Sequence, residues 1–390
     1  MEAYLDNSAT TPVSEGVAHI VMKAMREDYG NPSSKHLKGV EAERMVREAR
    51  EKIASTMHVS PDEIFFTSGG TESNNWALIG AAMANRRSGN HIITTAVEHA
   101  AVLQPLAFLQ EEGFSVTHLK ADPHGHISLQ DLRNALTDDT ILVSMMYVNN
   151  EIGSLEPVAE AGAVIREWNR THHRAVLFHV DAIQAYGKYR IAPGRAGIDL
   201  MSVSGHKIHG PKGSGFLYIR QRTKIKPLIL GGGQQGGMRS GTDNVPGAAG
   251  LGEAAKEAYT DFDRKVEGML RCRRHLIEGL KKIDGTVLVT DGEESRSAPH
   301  IVSCAFEKVR AEVLLHALEE KGVYVSSGSA CSSNRKIPVS SVIQEIHLRK
   351  DLQESVLRFS FSSLTTPEEI DYALASLAQL LPVLRRYSRR

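Results

Sequence analysis

Between residues 40 and 220, short apolar runs alternate with segments whose apolar positions recur every three or four residues. Ala42, Met45, Ala49, Ile53 and Met57 fall on one face of a helix. EIFFT (63–67) then reads as a strand, Ser68-Gly69-Gly70 as a turn and 71–87 as a helix. HIITT (91–95), SVTHL (115–119), ILVSMMYV (141–148), AVLFHV (175–180) and DLMSVS (199–204) read as further strands. Helical stretches near 100–112, 128–136 and 157–170 separate most of them, and GFLYI (215–219) follows a glycine-rich turn. Strands this apolar must be covered on both faces. The alternation therefore predicts an α/β fold with a largely parallel sheet between two layers of helices.

The texture changes near residue 246. A long helical region (roughly 246–283) leads to IVSCAF, a helix near 310–320, VYVSS, VLRFSF and a last helix from Pro367. Scattered strands with intervening helices predict a smaller α+β domain, onto which the first dozen residues are expected to dock. No internal repeat or low-complexity segment interrupts this pattern.

Composition narrows the function classes. The 390 residues carry 46 Lys plus Arg against 46 Asp plus Glu, a formal charge of zero. Such a chain has no electrostatic excess for bulk binding of nucleic acid. Arg385, Arg386, Arg389 and Arg390 read as a solvated helix end. Cys272, Cys304 and Cys331 are odd in number and widely spaced, against a disulfide framework and in favour of a reducing compartment. The first residues lack a basic-then-apolar leader, and no apolar run approaches the roughly 18 residues of a spanning helix. The expectation is a cytoplasmic protein without membrane contact.

Three segments carry candidate chemistry. Ser68 to Asn75 links a strand to a helix, where glycines and free N–H groups suit an anion such as phosphate; Thr71 alone is equally a helix cap. Lys207 follows a strand in the small-residue loop Ser204-Gly205-His206-Lys207, and Asp181 ends another apolar strand. Phosphate cradle, crevice lysine and strand-end acid together meet the needs of pyridoxal phosphate: a Schiff-base amine and an acid that keeps the pyridine nitrogen protonated. Gly231 to Gly236 fits G-x-G-x-x-G, yet no helical pattern follows at once, which defeats a dinucleotide reading. His206 with His209, and His124 with His126, lack the thiol or carboxylate partners of a metal site. Among the thiols, Cys304 reads as a small core residue and Cys272 stays unassigned. Cys331 sits among small polar residues that suit an exposed, movable nucleophile.

The stretches YLDNSATTP, FTSGGTESNN, EHAAVL, YVNNEIG, HVDAIQ, SVSGHKIHGPKGSG, GMRSGT, SSGSACSS and RFSFSSLTTPEEID span nearly the whole chain. In this order they resemble the cysteine desulfurases of the NifS/IscS type. The resemblance implies a fold-type-I PLP-transferase: a large domain (14–255) with a mostly parallel seven-stranded sheet, and a smaller α+β domain (1–13 and 256–390) carrying the cysteine loop. It implies that Lys207 binds the cofactor, Asp181 pairs with its pyridine nitrogen and Gln184 meets its phenolic oxygen. Gly70, Thr71, Ser204 and His206 would hold its phosphate, with Thr242 from the partner subunit of a homodimer. His99 would stack on the ring and assist proton transfer, and Asn150 and Arg358 would bind the substrate carboxylate.

The implied reaction takes sulfur from L-cysteine, giving L-alanine and a Cys331 persulfide that is passed to a sulfur-acceptor protein. Iron–sulfur scaffolds, tRNA thiolation proteins and DNA phosphorothioation systems are the acceptors in view. A selenocysteine lyase-like enzyme, another pyridoxal-phosphate enzyme of the family, or a catalytically weak assembly subunit are the alternatives. The chain departs from the family pattern at Gln234-Gln235-Gly236, from Asn334 through His347, and at Ser362-Ser363.

Overall fold

The computed structural model describes residues 1–327 and 339–387. Its centre is a seven-stranded sheet in the order Ile64–Thr67, Gly215–Ile219, Leu200–Ser204, Leu177–Asp181, Thr140–Met146, His91–Thr95 and Ser115–Leu119. Only Gly215–Ile219 runs antiparallel to its neighbours. The alternation read from sequence is thus realised as a mostly parallel sheet. Successive residues face opposite layers: Phe178 and Val180 pack into one apolar cluster, and Leu177 into another on the far side. Burial on both faces is why the strands read as unbroken apolar runs.

A four-stranded antiparallel sheet forms a second layer, in the order Ser326–Ser327, Val356–Ser360, Ile301–Phe306 and Thr286–Leu288. Residues Ala3–Tyr4 pair in parallel with Val323–Tyr324, so the amino terminus docks beside this layer. From there the chain crosses to the large sheet, where the Thr11 hydroxyl donates to the His206 carbonyl at 3.0 Å.

The structure revises several expected elements. The helical region expected over 246–283 is two helices, Val245–Tyr259 and Phe262–Leu280. Asp261, at φ 50°, breaks them with a left-handed backbone that no right-handed helix can contain. The helix over 71–87 begins at Gly70 and passes through a π-helical stretch, Trp76–Gly80. Helix Glu15–Arg26 was not expected from the pattern; it buries only Val17 and Ala24, too thin an apolar stripe to stand out. The Gly231 to Gly236 run leads to no α-helix before Val245, only to a short 3₁₀ turn, Gln234–Gly237. Its Gln235 side chain instead accepts from the Phe66 N–H at 2.7 Å and donates to the Phe66 carbonyl at 2.9 Å. It thereby satisfies backbone groups of the sheet's edge strand. Arg385 is not simply solvated, because it donates to the carbonyls of Glu307 and Gly285.

Glu156 is buried between the Ile127 N–H, at 3.1 Å, and the Ser154 hydroxyl, at 3.2 Å. Burial pushes its carboxyl up to about 8. Because the folded value lies above the ordinary 4.5, Glu156 contributes stability in full below that value, and the contribution is lost as pH rises through about 8. Glu156→Gln keeps an acceptor for Ile127 without a titrating proton. Thermal unfolding near pH 5 and pH 8 is expected to show a smaller alkaline loss in the variant, by a few degrees. Equal losses in both proteins would refute the assignment.

Candidate active site

The carboxyl ends of the parallel strands open onto a cavity of about 380 Å³. Open α/β sheets place ligand crevices there because strand-end loops are free to diverge. Asp181 ends one strand, Ser204 the next, and a short 3₁₀ turn, Gly205–Lys207, brings Lys207 inward. Gly70 and Thr71 open a helix at the same rim, and an added Cβ at Gly70 would collide with Ile183 Cδ1. Glycine there lets the helix start approach the Asp181 turn closely. Arg358 arrives from the second sheet, on Val356–Ser360. The cavity collects Gly70, Thr71, His99, Asn150, Asp181, Gln184, Ser204, His206, Lys207 and Arg358, all named from sequence. Thr242 is exposed on the loop before Val245 and does not line it. Cys331 lies outside the described residues.

Asp181 is 5% exposed. Its Oδ2 accepts from Asn74 Nδ2 at 2.7 Å and its Oδ1 from the Ile183 N–H at 3.0 Å. Burial raises the carboxyl above its ordinary range, while these N–H groups, His99 and Lys207 pull the other way. The acid is therefore fixed in direction and in need of a cationic partner. Lys207 Nζ donates to the Ser8 and Ala9 carbonyls at 2.6 and 2.7 Å. Lys188 supports the same turn by donating to the Lys207 carbonyl at 2.7 Å; burial, then the charge of Lys207, brings its amine down to about 7.

His99 caps the helix Ala100–Glu111, its Nδ1 accepting from the Ala101 N–H at 3.0 Å. That bond places the proton of the neutral ring on Nε2, the edge left for other partners. Burial, then Lys207, brings His206 down to about 4, so it is a neutral ring at pH 7. Arg358, 8% exposed, donates Nη1 to the Asn150 carbonyl and Nη2 to Asp6 Oδ1, each at 2.8 Å. Its buried Nε has no partner among the described residues.

Sequence reasoning gave no role to Asp6, Ser8, Asn74, Glu98, Lys188 or His300. Asp6 and Ser8 fall in the YLDNSATTP stretch, Asn74 lies close to Thr71, and Glu98 precedes His99. Glu98 is buried beneath the floor, accepting from Thr95 Oγ1 at 2.8 Å and the Met146 N–H at 2.7 Å. Burial and the nearby Asp181 carboxylate hold it well above the usual range. His300 carried no sequence signal at all.

A buried acid, an inward lysine, neutral His206 and the helix start at Gly70 form a donor set that fits pyridoxal phosphate. The fold is that of the fold-type-I pyridoxal-phosphate enzymes. More narrowly, residues 3–373 match the aminotransferase class-V model, and the chain belongs to that family. A "Cysteine desulfurase IscS" from Methanosarcina thermophila is 43% identical over 385 residues, covering 99% of this chain and 93% of the relative. A solved "NifS-like protein" superposes with a TM-score of 0.91 at 37% identity, covering 98% of this chain and all (100%) of that one. A structure described as "SspA in complex with cysteine" gives 0.81 at 31% identity, covering 93% and 100%. No described helix is long and apolar enough to cross a membrane.

Proposed function

We propose that the protein is a pyridoxal-phosphate-dependent cysteine desulfurase, taking sulfur from L-cysteine and releasing L-alanine. The observation that carries this reading is one cavity with Asp181 and Lys207 in its floor and the guanidinium of Arg358 at its wall. Desulfurase relatives identical at 41–43% over nearly the whole chain support the same reaction.

Lys207 would hold the cofactor through Nζ, and Asp181 would keep a proton on its pyridine nitrogen. Gln184 donates to the ring oxygen. Gly70, Thr71, Ser204 and His206 bind the phosphate, joined by Thr242 of a partner subunit in a homodimer. When bound, pyridoxal phosphate supplies the electron sink for the pair released at the substrate α-carbon. Arg358 and Asn150 orient the substrate carboxylate, a forked cation being suited to two oxygens. Lys207 Nζ would move the α-proton, with Nε2 of His99 in the same cavity as a donor.

Cys331, as thiolate, attacks the substrate sulfur. An S–S bond forms, the substrate C–S bond breaks, and its electron pair goes to the carbon skeleton, which takes a proton and leaves as alanine. The persulfide left on Cys331 passes to an acceptor protein of iron–sulfur or thio-cofactor assembly. The test is incubation of cofactor-loaded protein with L-cysteine and a thiol reductant. Alanine and sulfide are expected in equal amounts; cofactor uptake without alanine would reject the desulfurase reading.

A further inference from the structure

His300 precedes the strand Ile301–Phe306 and is 1% exposed. Its Nε2 lies 3.2 Å from Gln184 Oε1, across 116 residues of sequence. The other end of that amide, Nε2, donates to the Ser8 carbonyl at 3.0 Å. A carbonyl only accepts, so the amide nitrogen must face Ser8 and the amide oxygen must face His300. His300 must then carry its proton on Nε2. The buried Nδ1 is left bare, with no partner among the described residues. Burial, then the charges of Lys188, Arg358 and Lys207, holds the ring neutral, in keeping with that tautomer.

One amide N–H of Gln184 is used by Ser8, and the second remains. Gln184 lines the cavity beside Asp181. Were the amide to turn over, its oxygen would face the Ser8 carbonyl, acceptor against acceptor, and the cavity would lose an N–H. Ser8 alone holds the amide weakly, because its carbonyl also receives Lys207 Nζ at 2.6 Å. A single neutral hydrogen bond is worth only about 1 kcal/mol.

We propose that His300 is a positioning residue that locks the Gln184 amide as a hydrogen-bond donor into the cavity, toward the anionic ring oxygen of bound pyridoxal phosphate. The inference rests on the cofactor reading above and adds to it a residue that leads into the second sheet. His300 does not line the cavity; it acts by excluding the flipped amide. A donor at the ring oxygen withdraws charge from it and so lowers the proton affinity of the lysine-bound cofactor. Without His300 that affinity rises.

The experiment is a pH titration of the visible absorption band of loaded parent, His300→Leu and His300→Gln, with cofactor dissociation measured in parallel. In His300→Leu the titration midpoint is expected to rise by about one pH unit, the size of one lost hydrogen bond to a charged group, and cofactor to bind about tenfold more weakly. His300→Gln, whose terminal N–H reaches the place of Nε2, restores both. In a Gln184→Leu background, His300→Leu adds little further shift. If His300→Leu does not fold, His300→Asn, too short to reach Gln184, is expected to read the same shift. An unmoved midpoint in the folded leucine or asparagine variant, or a full shift in the Gln184→Leu background, overturns the inference. A parent that takes up no cofactor overturns the cofactor reading itself, a result distinct from a loaded parent with an unmoved variant.

Discussion

Lys207→Ala is expected to abolish the visible absorption band of the cofactor-loaded protein and to lower alanine formation on the order of 10⁴-fold or more. Among the described residues, no other lysine lines the cavity. Lys188 is the buried lysine nearest in role, but its Nζ is turned to the Lys207 carbonyl and it does not line the cavity. Lys212 lines the outer groove beside the Gly70 turn rather than the cavity floor. The geometry at Lys207 predicts that substitution leaves the fold intact. Its ammonium rests on the Ser8 and Ala9 carbonyls, which line the cavity with it, whereas the turn that carries it is held by Gly205, Ser214 and Lys188. Unfolding temperature is therefore expected to change little. Spectroscopy checks the prediction directly: a band that survives the substitution would place the cofactor on a different amine.

Cys331→Ala is expected to separate cofactor binding from sulfur transfer. The band should persist, because every residue assigned to the ring lies elsewhere, while persulfide formation falls to background. The two other thiols offer no detour. Cys304 is buried in the strand Ile301–Phe306, and burial pushes its thiol up to about 12. Cys272 is buried on the helix Phe262–Leu280, its Sγ 3.6 Å from the Thr365 carbonyl, and burial raises its thiol as well. Burial thus disfavours, at both, the thiolate that attack on sulfur requires. Labelled cysteine followed by mass analysis of the protein reads the outcome. Label retained on another cysteine of the variant, with alanine formed at the parental rate, would move the nucleophile.

These expectations differ in where their support comes from. The parallel sheet was legible because strands buried on both faces must be apolar throughout, and Phe178 beside Leu177 shows that burial. The break at Asp261 was not legible, since the apolar spacing on either side continues and an aspartate adopts left-handed backbone only where the fold requires it. The same contrast holds in the site. Asp181, Lys207 and Gly70 announce themselves by standing at strand ends and turns. Asn74, which aims Asp181, resembles any polar residue of a helix until the 2.7 Å bond is seen.

By itself, the sequence determined the order of elements, the two textures of the chain and the residues able to carry charge or nucleophilic chemistry, because periodicity and residue type are local. Only the tertiary structure decided which of them meet. Arg358 reaches the cavity because Val356–Ser360 pairs within a sheet that packs over the strand ends, and Asp6 meets it across 352 residues. His300 meets Gln184 for the same reason. Hydrogen bonds over such separations depend on how two layers pack, and packing leaves no periodic mark in the chain.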